Sequence, residues 1–225
     1  MWDDRPLGQA LLGIYHRLEA RYGPQHWWPA QSPFEVMVGA ILTQTAAWRN
    51  VEQAIAHLKA AGALSPGALR RLSLSEIAVL VHPCGYYNAK AQKLKLLAAW
   101  LGEYCGDDLE RLFRGDADRL RQQLLLVPGI GPETADSIIL YAAQKPVFVI
   151  DAYTRRIISR LGLAPGSNHY AAYQGLFMAN LPPDVGLFNE YHALLVSLAK
   201  DACRKRPLCP RCCLNCGCRF YCASL

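Results

Sequence analysis

Seven of the nine cysteines of this chain, Cys203, Cys209, Cys212, Cys213, Cys216, Cys218 and Cys222, lie after position 202. A tail this short cannot bury enough apolar surface to fold by itself, so something other than a hydrophobic core has to hold it. The odd count disfavours a disulfide framework. So does the start of the chain, where Asp3 and Asp4 replace the basic residues of a secretory leader and a cytoplasmic protein in a reducing compartment is expected. A bound metal is therefore expected. Cys209-x2-Cys212 and Cys213-x2-Cys216 are pairs that on their own suggest zinc. They abut with no residue between them, and gathering both on one tetrahedral ion would bend the chain severely. Cys84 and Cys105 stand apart and read as core thiols.

Upstream of the tail, apolar residues recur at three- and four-residue spacing. Leu7, Leu11, Leu12, Ile14, Tyr15 and Leu18 mark an amphipathic helix closed by Gly23-Pro24, and Ser32, Pro33 and Glu35 form a start signature for a second helix through about Thr45. Similar runs predict helices over about 48–61, 88–104, 116–126, 132–143, 151–161, 169–179 and 186–199. Only Val147 to Ile150 looks β-like, so the fold class expected is all-α, without internal repeats or long linkers. The 225 residues leave room for one large or two small lobes, with the best seam at Gln144-Lys145-Pro146. No apolar run is long enough to cross a bilayer, so no membrane partner is expected. The net charge of +6 suits a polyanion such as nucleic acid.

Pro128-Gly129-Ile130-Gly131-Pro132 sits between two helical patterns. The glycines permit positive φ and leave their N–H groups uncovered, while Pro132 suits the first turn of the next helix. Such a turn can hold a phosphate oxygen without reading sequence; an ordinary tight interhelical turn is the alternative. Asp151 opens the run DAYTRRIISRL directly after an apolar crossing and reads as an N-cap, a role that keeps its carboxylate ionised. His26-Trp27-Trp28-Pro29 places two large aromatics at the mouth of the second helix, where packing is the default role. Arg204, Lys205, Arg206 and Arg211 form either a solvated basic loop or a surface for a nucleic-acid backbone.

VPGIGPETADSIILYA followed by VFVIDAYTRRIISRLG, with LTQ at 42–44, GYYNAKA at 85–91 and the cysteine tail, resembles the helix-hairpin-helix DNA glycosylases, and within them the endonuclease III branch. The resemblance covers most of the chain. It implies a two-lobed fold, with a six-helix barrel over 29–145 and a discontinuous helical lobe from 1–28 and 146–225 that contains an iron–sulfur loop at 203–222. A monomer would bind double-stranded DNA across a cleft, with the damaged nucleotide flipped out of the stack. The pattern assigns DNA contacts to Gly129, Ile130, Gly131, Thr134, Arg204, Lys205 and Arg206. Gln44 would fill the hole left by the flipped nucleotide. Tyr86 stands where the family places its intercalating wedge, usually leucine, although Tyr86-Tyr87 also fits half-buried aromatics at a helix start. Cys203, Cys209, Cys212 and Cys218 come close to the four ligands of a [4Fe-4S] cluster, whose first gap is often one residue longer. Cys218 is favoured over Cys216 and Cys222, and zinc is the alternative cofactor.

Asp151 matches the family's catalytic aspartate, an anion that stabilises the oxocarbenium-like sugar as the base leaves and orients a water to capture it. Bifunctional members carry a lysine two positions after the second hairpin glycine, and its amine forms a Schiff base before strand scission. Here that position is Glu133, which cannot form an imine, so a monofunctional glycosylase is expected. Trp-Trp-Pro, Glu133 and the run Gly-Ile-Gly-Pro-Glu-Thr-Ala-Asp are together similar to the 3-methyladenine glycosylases of the endonuclease III type. That likeness places Trp27, Trp28, Pro29 and Trp48 in the base pocket. Lys200 matches a lysine near it, or is simply an exposed residue at a helix C-terminus. Purines alkylated at N3 or N7 are cationic, and electron-rich rings attract them by ~0.5–2 kcal/mol per contact. The competing readings are an endonuclease III-like enzyme for oxidised or mismatched bases, a non-catalytic protein that binds DNA or abasic sites, and a zinc-stabilised interaction domain.

Overall fold

The computed structural model describes residues 2 and 4–223, so that Asp3, one of the two acids read at the start, lies outside the described residues. The helices are α1 (Leu7–Tyr22), α2 (Pro33–Leu42), α3 (Trp48–Ala60), α4 (Pro66–Arg71), α5 (Leu74–Val81), α6 (Tyr87–Cys105), α7 (Leu109–Phe113), α8 (Ala117–Leu125), α9 (Pro132–Ser137), α10 (Ala152–Leu161), α11 (Tyr170–Met178), α12 (Val185–Asp201) and α13 (Arg219–Cys222). Among the described residues there is no strand, and no helix is long and apolar enough to cross a membrane. The chain divides into two compact units, one made of Met1–Trp27 with Pro146–Leu225 and the other of Trp28–Lys145.

The continuous unit is organised around α2, which is buried from Phe34 to Leu42. Its N-terminus carries the expected signature: Ser32 accepts the Glu35 N–H at 3.2 Å and Pro33 fills the first turn. At its other end the buried ammonium of Lys90 donates to the Leu42 carbonyl at 2.9 Å and to the Cys84 carbonyl at 2.8 Å. Burial pulls the affinity of Lys90 for its proton down, and the two carbonyls accept from two of its three N–H donors. Helices α8 and α9 form the hairpin and are clamped by Arg121 and the fully buried Asp136, with Nε to Oδ1 at 2.7 Å and Nη2 to Oδ2 at 3.3 Å. Past α9 the chain widens into a π-turn over Ile138–Ala142, all of it buried.

The discontinuous unit packs α1 and α10 against α12. Tyr191 of α12 is fully buried and donates to the Leu11 carbonyl of α1 at 2.9 Å. Val147–Ile150, β-like in sequence, is buried but joins no sheet. Side chains bond two of its backbone groups: Gln174 donates to the Phe148 carbonyl at 2.8 Å, and the Ile150 N–H donates to the Tyr170 hydroxyl at 3.3 Å. Phe148 anchors the crossing by stacking on Phe177 with ring centroids 3.9 Å apart. This crossing delivers Asp151 to the first turn of α10.

Candidate functional site

In the discontinuous unit, Asp151 is the N-cap of α10, and its Oδ1 accepts the Thr154 N–H at 2.7 Å. Oδ2 lies 3.7 Å from Nε2 of His192 on α12, and the two side chains are only 14% and 11% exposed. Burial alone would push the Asp151 carboxyl up. The neighbouring His192 and the Thr154 N–H outweigh it and hold the group below the ordinary carboxylate range. The arrangement is a sheltered anion at a helix N-terminus, suited to stabilising a developing positive charge. His192 was not legible in the sequence, where it sits on a buried stretch with Tyr191, Ala193 and Leu194 and reads as a core residue. Lys200 is exposed in the last turn of α12, and its carbonyl accepts from Arg204 at 2.8 Å.

The cysteine loop belongs to the same unit. Cys203, Cys209, Cys212 and Cys218 line one cavity of about 280 Å³, counted to its open mouth, together with Arg160 and Phe220 among others. Cys213, Cys216 and Cys222 are not among its lining residues. Among the described residues no set of three or more His, Cys, Asp or Glu side chains is gathered closely enough to hold a single ion. Burial pushes the Cys212 thiol up to about 12 and raises Cys218 as well. Four soft thiol donors lining one cavity match an iron–sulfur group in the chemistry of their donor set. Two arginines of α10 fasten the loop. Arg156 Nε donates to the Cys203 carbonyl at 2.9 Å; Arg160 Nη1 reaches Cys203 Sγ at 3.3 Å and the Arg204 carbonyl at 2.7 Å, and its Nη2 the Lys205 carbonyl at 3.0 Å. Arg204, Lys205 and Arg206 keep their side chains exposed, while Arg211 pairs with Asp201 at 3.3 Å.

In the continuous unit, Gly129 adopts φ 90°, and both Gly129 and Gly131 are exposed. Ile130 and Thr134 are buried, at 5% and 6% exposure, and act as anchors of the turn. Gln44, just past the end of α2, leans on this turn: its Nε2 donates to the Gly129 carbonyl at 3.1 Å and to Thr134 Oγ1 at 2.9 Å, and its Oε1 accepts from Lys93 at 2.5 Å. Glu133 is exposed in the first turn of α9. Tyr86 caps α6 in the left-handed region, with φ 46° and ψ 31°, and is 76% exposed. Tyr87 turns back against the His82 ring at 4.6 Å, so only the first of the two tyrosines projects fully.

Trp28, half-buried, meets Trp48 edge-on at 5.3 Å and lies tilted over Tyr141 of the π-turn at 5.2 Å. Gly39 of α2 makes the room: a Cβ there would fall 2.8 Å from Trp28 Cζ2. Tyr141 and Gly39 are further residues that the sequence does not mark. Trp27 is half-buried and belongs to the other unit, and Pro29 is exposed.

The sequence pattern of the HhH-GPD superfamily of base excision DNA repair proteins matches residues 38–183, a span that includes Gln44, the hairpin and Asp151. A provisionally named DNA repair glycosylase of Methanocaldococcus jannaschii is 42% identical over 96% of this chain and 97% of its own length. Endonuclease III of Sulfolobus acidocaldarius is 27% identical over 84% of this chain and 82% of its own. The fold is shared with the 3-methyladenine DNA glycosylase of H. pylori bound to 1,N6-ethenoadenine, at TM-score 0.75 and 24% identity over 87% of this chain and 98% of that one. It is shared too with an endonuclease III–DNA covalent intermediate, at TM-score 0.83 and 20% identity over 96% and 98%. The chain thus belongs to the HhH-GPD superfamily and is a DNA glycosylase of the base excision repair type.

Proposed function

We propose that this glycosylase is monofunctional, acts as a monomer on double-stranded DNA, and hydrolyses the glycosidic bond of alkylated purines of the 3-methyladenine type, leaving an intact abasic site. The observation that carries the substrate class is the half-buried Trp28, set between Trp48 and Tyr141 over Gly39. Electron-rich ring faces of this kind favour a flat, cationic base over a neutral one. Such a base is already a good leaving group, so the reaction needs no general acid to protonate it.

Asp151 then does the chemistry at the deoxyribose. Its carboxylate, held ionised by His192 and the Thr154 N–H, stabilises the positive charge that spreads over the sugar as the C–N bond breaks. The same anion orients the water that captures C1′, and the proton of that water leaves with the carboxylate as its acceptor. Glu133 at the position of the lyase amine supports hydrolysis without imine formation. Cys203, Cys209, Cys212 and Cys218 lining one cavity, at spacings close to those of the family's cluster motif, support a [4Fe-4S] group. When bound, that cluster supplies four covalent cross-links to a loop that has little core of its own. Gly129 and Gly131 offer backbone donors to phosphate, and Arg204, Lys205 and Arg206 offer charge.

Single-turnover release of 3-methyladenine from methylated duplex DNA tests the reading. Free base should appear, with nicks only after alkali. Nicking without alkali, or a borohydride-trapped protein–DNA adduct, would refute the monofunctional assignment; no release would redirect the search to oxidised and mismatched bases. Asp151→Asn should slow release by at least about 10²-fold while retaining DNA binding. Because the Asp151 carboxyl sits below its ordinary value of about 3.9, enzymatic release should stay level as pH falls to that value and decline only below it. An acid limb centred near pH 5 would rule out this environment for Asp151.

A further inference from the structure

We infer that Lys93 is a positioning residue that fixes the amide of Gln44 and locks it to the hairpin turn. The inference rests on the reading of Gln44 as the side chain that fills the gap left by a flipped nucleotide. The Lys93 ammonium donates to Gln44 Oε1, while Gln44 Nε2 donates to the Gly129 carbonyl and to Thr134 Oγ1. An ammonium can only donate and a backbone carbonyl can only accept, so the two define which end of the amide is which. A glutamine without Lys93 keeps only the hairpin side of that restraint, and its oxygen is left to turn with any neighbour.

The methylene stem of Lys93 does a second job. It lies so close over Gly129 that a Cβ there would meet Lys93 Cγ at 2.6 Å and Cδ at 2.8 Å. Glycine at 129 thus serves this contact as well as its positive φ. Lys93 lies about two turns into α6 from Tyr86 at its N-cap, which puts the two on one side of that helix. One side chain therefore ties the phosphate-facing turn, the gap-filling amide and the helix that presents Tyr86 into a single rigid piece.

The amide's remaining capacity follows by counting. Both N–H donors of Gln44 are engaged, and one lone pair of Oε1 is taken by Lys93. What the pair can still show to an orphaned base is an acceptor on Oε1 and the unused ammonium donors of Lys93. A flexible glutamine would instead offer donor and acceptor in either order.

The test uses fluorescence anisotropy with the full-length protein and two duplexes of one sequence, undamaged or containing a tetrahydrofuran abasic-site analogue. Lys93→Met keeps the stem over Gly129 and removes the donors. It should cost about tenfold in affinity for the abasic-analogue duplex and leave the undamaged duplex within about twofold. Gln44→Ala should lose the same preference, the double variant should lose no more than either single one, and Lys93→Arg should restore most of it. Equal losses on both duplexes, with a shallower salt dependence, would make Lys93 a plain phosphate contact and overturn the inference. Additive losses in the double variant, or full preference in Lys93→Met, would overturn it while leaving the role of Gln44 standing. Full preference in Gln44→Ala would remove the gap-filling reading and this inference together. Base release by the wild-type protein reports on the proposed function independently of any of these outcomes.

Discussion

Tyr86 holds a left-handed backbone that a non-glycine residue adopts at a cost of roughly 1–2 kcal/mol. Nothing in its burial repays that cost, since the ring is 76% exposed. Thr45, next to Gln44 in the same unit, is held similarly with φ 55°. Strain kept at exposed positions is expected where a side chain has to be presented to a ligand. Tyr86→Gly should therefore raise the melting temperature by a few degrees, about 1 kcal/mol, and weaken binding to damaged duplex at the same time. Unchanged or tighter binding would mean that Tyr86 is not a wedge, and an unchanged or lower melting temperature that its backbone stores no strain. Residues whose meaning is local could be read from the sequence. Asp151 is marked as an N-cap by its place after an apolar crossing. His192, Lys93 and Gly39 could not, because each is defined by a partner on another element; the Lys93–Gln44 contact spans 49 positions.

Helix α10 performs two tasks with one set of residues. Asp151 caps its start, and Arg156 and Arg160, one and two turns on, grip the backbone that carries Cys203, Arg204 and Lys205. Arg160→Met should remove about 1–3 kcal/mol of stability, the worth of a few charge-assisted hydrogen bonds. Purified protein should then hold less metal per chain, seen as lower visible absorbance and lower iron or zinc by elemental analysis. Unchanged metal content would mean that the thiols alone define the loop. The long amphipathic helices were readable from their period, as was the cap at Ser32. Helices α4, α5 and α7 were not, because at five to eight residues they are too short to show a repeat. Val147–Ile150 has the composition of a strand because it is buried on all sides, a condition that composition does not distinguish from pairing in a sheet. The aromatic grouping was half legible: Trp28 and Trp48 stand out, while Tyr141 and Gly39 matter only once the π-turn and α2 bring them to Trp28.

For the molecule as a whole, the all-helical fold and its superfamily followed from a few glycines, one aspartate and the tail, since these fix backbone shape and donor chemistry at set spacings. The basic excess, 24 Lys and Arg against 18 Asp and Glu, sets the expected physics of binding. Affinity for undamaged duplex should fall by an order of magnitude or more between roughly 50 and 200 mM salt, in proportion to the phosphates neutralised. A flat response would exclude Arg204, Lys205 and Arg206 as backbone contacts. The division of one unit between two distant stretches of chain bears on how the protein is made. Tyr191 and the Leu11 carbonyl it caps are 180 residues apart. At about 5–20 residues per second, α1 leaves the ribosome roughly 10–35 s before α12 exists to cover Ala10, Leu11, Ile14 and Leu18. Residues 28–145 make up a unit of contiguous chain that is complete before α12 is, while the apolar face of α1 stays uncovered until α12 emerges.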